Sequence, residues 1–230
     1  MTVDSPLWTP ARHPLARLLR EVAAGVFPEA DGGWIRVSPW SPSIQGILAF
    51  TGRAVLAVSY DVSDARLGDL GVDGWGGAHD PSVLTELAGP TGWIDTLDVL
   101  MLASGRGSQG STGPLVSRPD LAKHRIAEYA RRVRTDVQVM GRPEPDRHDI
   151  VTLGHGVAGL REISFEVEES LRGRGTAHEL IGMALAAVPE HEVVAACVAP
   201  GNAAGLRACL RAGFAPVGGV QLFSSRAERR

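Results

Sequence analysis

Cysteine, tyrosine and long apolar runs are what this sequence has little of. Two cysteines among 230 residues, Cys197 and Cys209, cannot build a disulfide framework; they read as reduced thiols of a cytoplasmic protein. No stretch of about 18 consecutive apolar residues occurs, so no segment reads as a membrane span. The opening "MTVDSPLWTPARHPLARLLREV" lacks the basic-then-apolar order of a signal peptide. Cationic excess is missing too. With 23 Lys+Arg against 26 Asp+Glu the net charge is −3 and the pI near 6.2. That argues against nucleic acid as a partner, and any phosphate site must be a local feature. Tyrosine is confined to Tyr60 and Tyr129, which restricts where a phenolic acid can act.

What is present is ordinary globular material: 44% hydrophobic and 21% charged residues, enough chain for one large domain or two small ones. The sharpest break is "SGRGSQGSTGPLVSRP", residues 104–119, which is rich in Gly, Ser and Thr and reads as a linker. All five tryptophans (Trp8, Trp34, Trp40, Trp75 and Trp93) precede it. The expected organisation is therefore an N-terminal α+β region, 1–110, of unknown role, the linker 104–119, and a second domain, 120–230.

The first region opens with an amphipathic helix from Pro14 that spaces Leu15, Leu18, Leu19 and Val22 along one face. A hairpin turned at Thr51-Gly52-Arg53, a helical stretch near Ser82–Leu87 and an apolar run at 92–104 follow. Past the linker, Asp120 reads as the cap of a helix over 121–134, and a strand follows at 135–140. Two strands then join around Gly154–Gly159. The second alternates, with Ile163, Phe165 and Val167 on one face and Glu162, Ser164 and Glu166 on the other. Next come a helix carrying Ala177, Leu180, Ile181, Ala184, Leu185 and Val188 on one stripe, a strand at 192–198, a helix stopped by Gly213, and a last strand. The fold class is α/β (α+β): a mixed sheet flanked by helices, preceded by a smaller α+β domain.

The informative stretch is "SLRGRGTAHELIGMALAAV", Ser170–Val188. A strand ends, two glycines remove Cβ obstruction, and a helix begins at once. The first turn of a helix has N–H groups without internal partners and the positive end of the macrodipole. Gly173 and Gly175 allow close approach to the main chain, and Arg172 and Arg174 add charge where an anion is already favoured. Two readings are open, a diphosphate cradle and a tight turn with solvated arginines. The glycine spacing fits neither a P-loop nor a dinucleotide fingerprint. Elsewhere, "DGWGGAHD" gathers Asp73, His79 and Asp80 without the spacing of a metal site, and no metal is expected.

In its context this loop resembles that of the GNAT superfamily of acyl-CoA-dependent N-acyltransferases. "FEVEESLRGRGTA" looks like the family's fourth strand and its (Q/R)-x-x-G-x-(G/A) pyrophosphate loop. "GNAAGLRACLRAGF" looks like the family's later helix, with Asn202, Leu206, Gly213 and Phe214 at matching places. The likeness covers roughly 120–223. It implies acetyl-CoA, or another acyl-CoA, as cosubstrate in a cleft between two splayed parallel strands. Its diphosphate would lie on the N–H groups of Gly173, Gly175, Thr176 and Ala177, with Arg172 and Arg174 neutralising charge and Asn202 nearby. Val167 stands where the family's strand backbone pairs with pantetheine.

Acyl transfer needs a deprotonated amine, a polarised carbonyl and a proton for the departing thiolate. The resemblance implies a carboxylate on the fourth strand as base. Glu162 and Glu166 are the candidates, roughly 13 Å apart along one face; a solvated polar face is the competing reading. The tyrosine that relatives use to protonate the thiolate is replaced by Cys209, either a donor or a packed core thiol. The expected activity is N-acetylation of a primary amine, small-molecule or peptide, by direct attack in a ternary complex; a homodimer is compatible with it. A non-catalytic acyl-CoA sensor or scaffold is the alternative.

Overall fold

The computed structural model describes residues 13–108 and 113–225; Trp8 and the middle of the expected linker lie outside them. Among the described residues, six α-helices and ten strands form three layers, with one mixed sheet in the middle. The elements are α1 (Pro14–Ala23), β1 (Trp34–Val37), β2 (Gln45–Phe50), β3 (Arg53–Ala57), α2 (Asp64–Asp69), α3 (Pro81–Ala88) and β4 (Trp93–Ser104). After the glycine-rich stretch come β5 (Val116–Ser117), α4 (Arg125–Val133), β6 (Thr135–Gly141), β7 (Ile150–His155) and β8 (Arg161–Glu166). The chain closes with α5 (Thr176–Ala186), β9 (Val193–Val198), α6 (Ala203–Arg211) and β10 (Ala215–Ser224).

The sheet order is β1-β3-β2-β10-β4-β9-β8-β7-β6-β5. The expected boundary at 104–119 does not interrupt the ladders, because the last strand of each half lies beside the other half. β4 pairs antiparallel with β9, Leu100 opposite Cys197, and β10 pairs antiparallel with β2, Val220 opposite Leu48. β4 and β10 are the longest strands, and they pair with each other at the sheet centre.

Period-two alternation sends each strand's side chains to two apolar layers. Leu48, Val55, Leu100, Ala195 and Val220 pack under α1, whose Leu15, Leu19 and Val22 are buried, and the same layer reaches Tyr129 of α4. On the opposite face, Met101, Ile163, Val194 and Ala196 meet Leu180, Ile181, Ala184 and Leu185 of α5 and Ala208 and Cys209 of α6. Further along, Ile47, Leu56 and Phe223 meet Leu67, Val83, Leu84 and Leu87. The α5 stripe expected from the sequence is thus the core-facing one.

Local signals settle most element ends. The hairpin turn falls at Thr51-Gly52, Gly52 taking φ +67°, a value that glycine reaches without strain. α6 ends at Arg211, two residues before Gly213, which takes φ +92°. The expected cap of α4 is corrected. The helix begins at Arg125 and His124 caps it, its ring nitrogen accepting from the Ile126 N–H, while Asp120 is occupied by the Arg118 guanidinium 2.7 Å away.

Candidate acyl-CoA site

The site begins where two parallel strands stop pairing. β8 and β9 share only two register pairs, Arg161 with Val194 and Glu162 with Ala195. Beyond them β8 continues to Glu166 and β9 to Val198 unpaired along their facing edges, so a wedge opens between the strands. Behind β8, buried Asp149 holds the strand end: its carboxylate accepts the Glu168 N–H at 3.0 Å and faces Arg147 and Arg142. That anchor fixes the direction in which the chain enters the glycine loop.

The loop then turns twice through positive φ, at Gly173 (+77°) and Gly175 (+85°), and delivers α5. A Cβ built at either glycine would meet nothing within 4 Å, so these residues serve backbone conformation and leave the space beside the main chain open. Gly175 caps α5 without a side-chain hydrogen bond. Among the described residues, the N–H groups of 173–177 find no acceptor; the first one satisfied belongs to His178, donating to the Gly175 carbonyl at 2.9 Å. A row of unpaired donors at a helix N-terminus is what an oxyanion requires.

These amides border a cavity of about 550 Å³ at the mouth of the wedge, within the range of small-ligand sites. Glu166 and Val167 border it from the end of β8, Arg172, Gly173, Gly175, Thr176 and Ala177 from the loop and α5, and Asn202 from the turn before α6. Asn202 also caps α6, its side-chain oxygen accepting from Gly205 N at 2.9 Å. Eight of the eleven residues singled out in the sequence are thus brought together.

The other three stand apart. Arg174 is exposed and does not border the cavity. Cys209, on α6, is fully buried and does not border the cavity, and burial pushes its thiol up to about 12. Glu162 is 2% exposed. Arg134 Nε donates to its Oε1 at 2.9 Å, an Arg134 terminal nitrogen that donates to Ser164 lies 2.5 Å from the same oxygen as an ion pair, and Oε2 accepts the Val157 N–H at 2.9 Å. Only glycine fits at 156, since a Cβ there would lie 1.9 Å from Glu162 Oε2. Such a carboxylate anchors the β7–β8 hairpin to α4.

Glu166 does reach the cavity, between two cations: it pairs with Arg125 from α4 and faces Arg172 at 3.6 Å. Arg172 also donates to the Val167 carbonyl at 3.3 Å. Sequence reasoning missed Arg125, Arg207 and Arg211, which give the cavity a basic wall in a chain of net negative charge. A four-residue spacing puts Arg207 and Arg211 on one face of α6, but nothing local says which face meets the cleft. Among the described residues no group of three or more His, Cys, Asp or Glu side chains could hold a metal ion, and no helix is long and apolar enough to cross a membrane.

No protein-family model and no curated protein matches this chain. Solved structures do match it. An acetyltransferase of the GNAT family from Colwellia psychrerythraea aligns at 11% identity and a TM-score of 0.38, over 57% of each chain. A structure from Novosphingobium aromaticivorans assigned to the same family aligns at 19% and 0.40, over 59% of this chain and 68% of that one. A GCN5-related N-acetyltransferase from Kribbella flavida aligns at 16% and 0.36, over 62% of each. The alignments with the Colwellia and Kribbella structures thus span less than two thirds of those chains. At such identities and scores they transfer neither substrate nor residue role.

Proposed function

We propose that this chain is an N-acyltransferase that moves an acetyl or other acyl group from acyl-CoA to a primary amine in a ternary complex. One observation carries the reading. The cavity at the parting of β8 and β9 is bordered by Asn202 and by every loop residue that the sequence resemblance singles out except Arg174. The diphosphate would take the free N–H groups of 173–177, with Arg172, Arg207 and Arg211 as counter-charges. Charge-assisted hydrogen bonds are roughly twice as strong as neutral ones. Pantetheine would run along the unpaired edge of β8 past Val167, which requires the Arg172 side chain to leave the Val167 carbonyl. In this reading 120–230 supplies the cofactor side and 1–110 helps shape the acceptor side, in a cytoplasmic enzyme.

Calorimetric titration with CoA and acetyl-CoA tests the cofactor side, and release of free CoA with a panel of primary amines tests turnover. Binding that is weakened by Arg172→Gln, together with amine-dependent release, is expected. No heat on CoA titration overturns the reading. The non-catalytic alternative, an acyl-CoA sensor, draws on the burial of Cys209 away from the cavity; binding without release by any amine would favour it.

A further inference from the structure

The carboxylates expected to act as base are committed elsewhere, Glu162 to Arg134 and Glu166 to Arg125 and Arg172. We propose that Asp98, on the strand β4 that the N-terminal half places beside β9, is the group that takes the proton from the acceptor amine. The proposal rests on the acyl-transfer reading and adds the base to it.

Asp98 lies next to Val99, which is in register with Val198 at the far end of β9, beyond the point where β8 and β9 part. With Leu100 and Leu102 it faces the α1/α4 layer, the side of the sheet that also carries Cys197 and Glu162. Among the described residues the Asp98 carboxylate has neither a hydrogen-bond partner nor an ion pair, although the residue is partly buried. On its own strand is Asp95, whose carboxylate accepts the Tyr129 hydroxyl of α4. On β8 is Glu162, whose charge is shared with Arg134, and on β9 is the partly buried thiol of Cys197. Among the described residues no cation is paired with Asp98. Burial first, then the charges of Asp95 and Glu162, raise its carboxyl from 3.8 to about 7, where a base can both accept and return a proton at neutral pH. In contrast to the two glutamates, Asp98 carries a carboxylate that no hydrogen bond or ion pair engages among the described residues.

The proton balance closes. Asp98 takes one proton from the ammonium and becomes a carboxylic acid. The neutral amine attacks the thioester carbonyl, a C–N bond forms, and the tetrahedral intermediate carries a second nitrogen proton. Collapse breaks the C–S bond, that second proton goes to the leaving sulfur to give CoA thiol, and Asp98 returns the first proton to water.

The test uses the full chain with acetyl-CoA and a panel of putrescine, tyramine and lysine methyl ester, following thiol release against pH. In the wild type, kcat/KM should rise with pH through a value near 7. Asp98→Asn should lower it about 100-fold and remove that limb, with CoA affinity by calorimetry unchanged. Retention of rate and limb in the variant overturns the proposal while leaving acyl transfer intact. Absence of CoA binding in the wild type instead overturns the underlying reading. The carboxyl resonance of ¹³C-labelled aspartate that disappears in Asp98→Asn gives an answer without turnover: titration near 7 supports the assignment, and titration near 4 overturns it.

Discussion

Asp98→Asn should also make the protein more stable, in a pH-dependent way that needs no substrate to observe. Below about pH 4 the carboxyl is protonated in both folded and unfolded chains, so it contributes no difference. As pH rises, the unfolded chain ionises first, near 3.8, while the folded chain holds its proton until about 7. Between those values the unfolded state gains ionisation free energy that the folded state does not, and stability falls; the loss is complete above about 7. A shift of about three pKa units corresponds to ~4 kcal/mol. Asp98 is only partly buried, and solvent screening reduces the figure to ~2 kcal/mol. Asparagine keeps the shape and carries no charge, so the variant should gain ~2 kcal/mol at about pH 8 and nothing at about pH 4. For a chain of this size ~2 kcal/mol is roughly 4–8 °C in Tm. Urea unfolding of both proteins at the two pH values, with m unchanged, measures the difference. A gain of the same size at both pH values, or a loss at the higher one, would refute the electrostatic account. Stabilisation coupled to loss of turnover is what a strained functional group produces.

Other perturbations separate structural from ligand-binding roles. Arg134→Ala leaves Glu162 buried without its cation and should cost about 3–5 kcal/mol in urea unfolding, whereas replacing both with apolar residues should recover most of that. Gly175→Ala forces an alanine to φ +85°; denaturation should report about 1–2 kcal/mol of strain, and calorimetry a parallel weakening for CoA. Arg207→Gln and Arg211→Gln should each weaken CoA binding about tenfold, as expected for a charged hydrogen bond, with a shallower dependence of affinity on salt; stability should not change.

What could be read in the sequence was what depends on neighbours in the chain. The glycines at 173 and 175, the stripe on α5 and the alternation of β8 are all set within a few residues, and each stands where expected. Contacts between distant segments could not be read. Glu162 alternates correctly onto the polar face, yet nothing near it in sequence announces that Arg134 will meet it. Asp98 sits in a run that reads as apolar, "GWIDTLDVLMLAS", and gains its electrostatic character only because β4 crosses to lie beside β9. Tyr129 likewise reads as one residue on an amphipathic helix, and becomes a donor to Asp95 only through the packing of α4 over that strand. The His124 cap was masked by a nearer-looking candidate, Asp120, whose side chain Arg118 claims.

The exchange of last strands bears on whether either half can stand without the other. Both neighbours of β10, namely β2 and β4, come from residues before 105, and β9 loses one side of its ladder without β4. A fragment 105–230 would therefore expose the edge of Val194, Ala195, Ala196, Cys197 and Val198, an unpaired apolar strand of the kind that aggregates. It would also strand Phe223, which packs among Ile47, Leu56 and Leu84. Produced alone, 105–230 should be aggregated or lack a cooperative unfolding transition, and so should 1–104. Produced together, they should reassemble through the β4–β10 and β4–β9 ladders and regain CoA binding measured by calorimetry. If 105–230 alone unfolds cooperatively and binds CoA, the shared strands are dispensable and the C-terminal half is an independent unit. Asp98 would then be an accessory of the N-terminal half with no part in the shared centre.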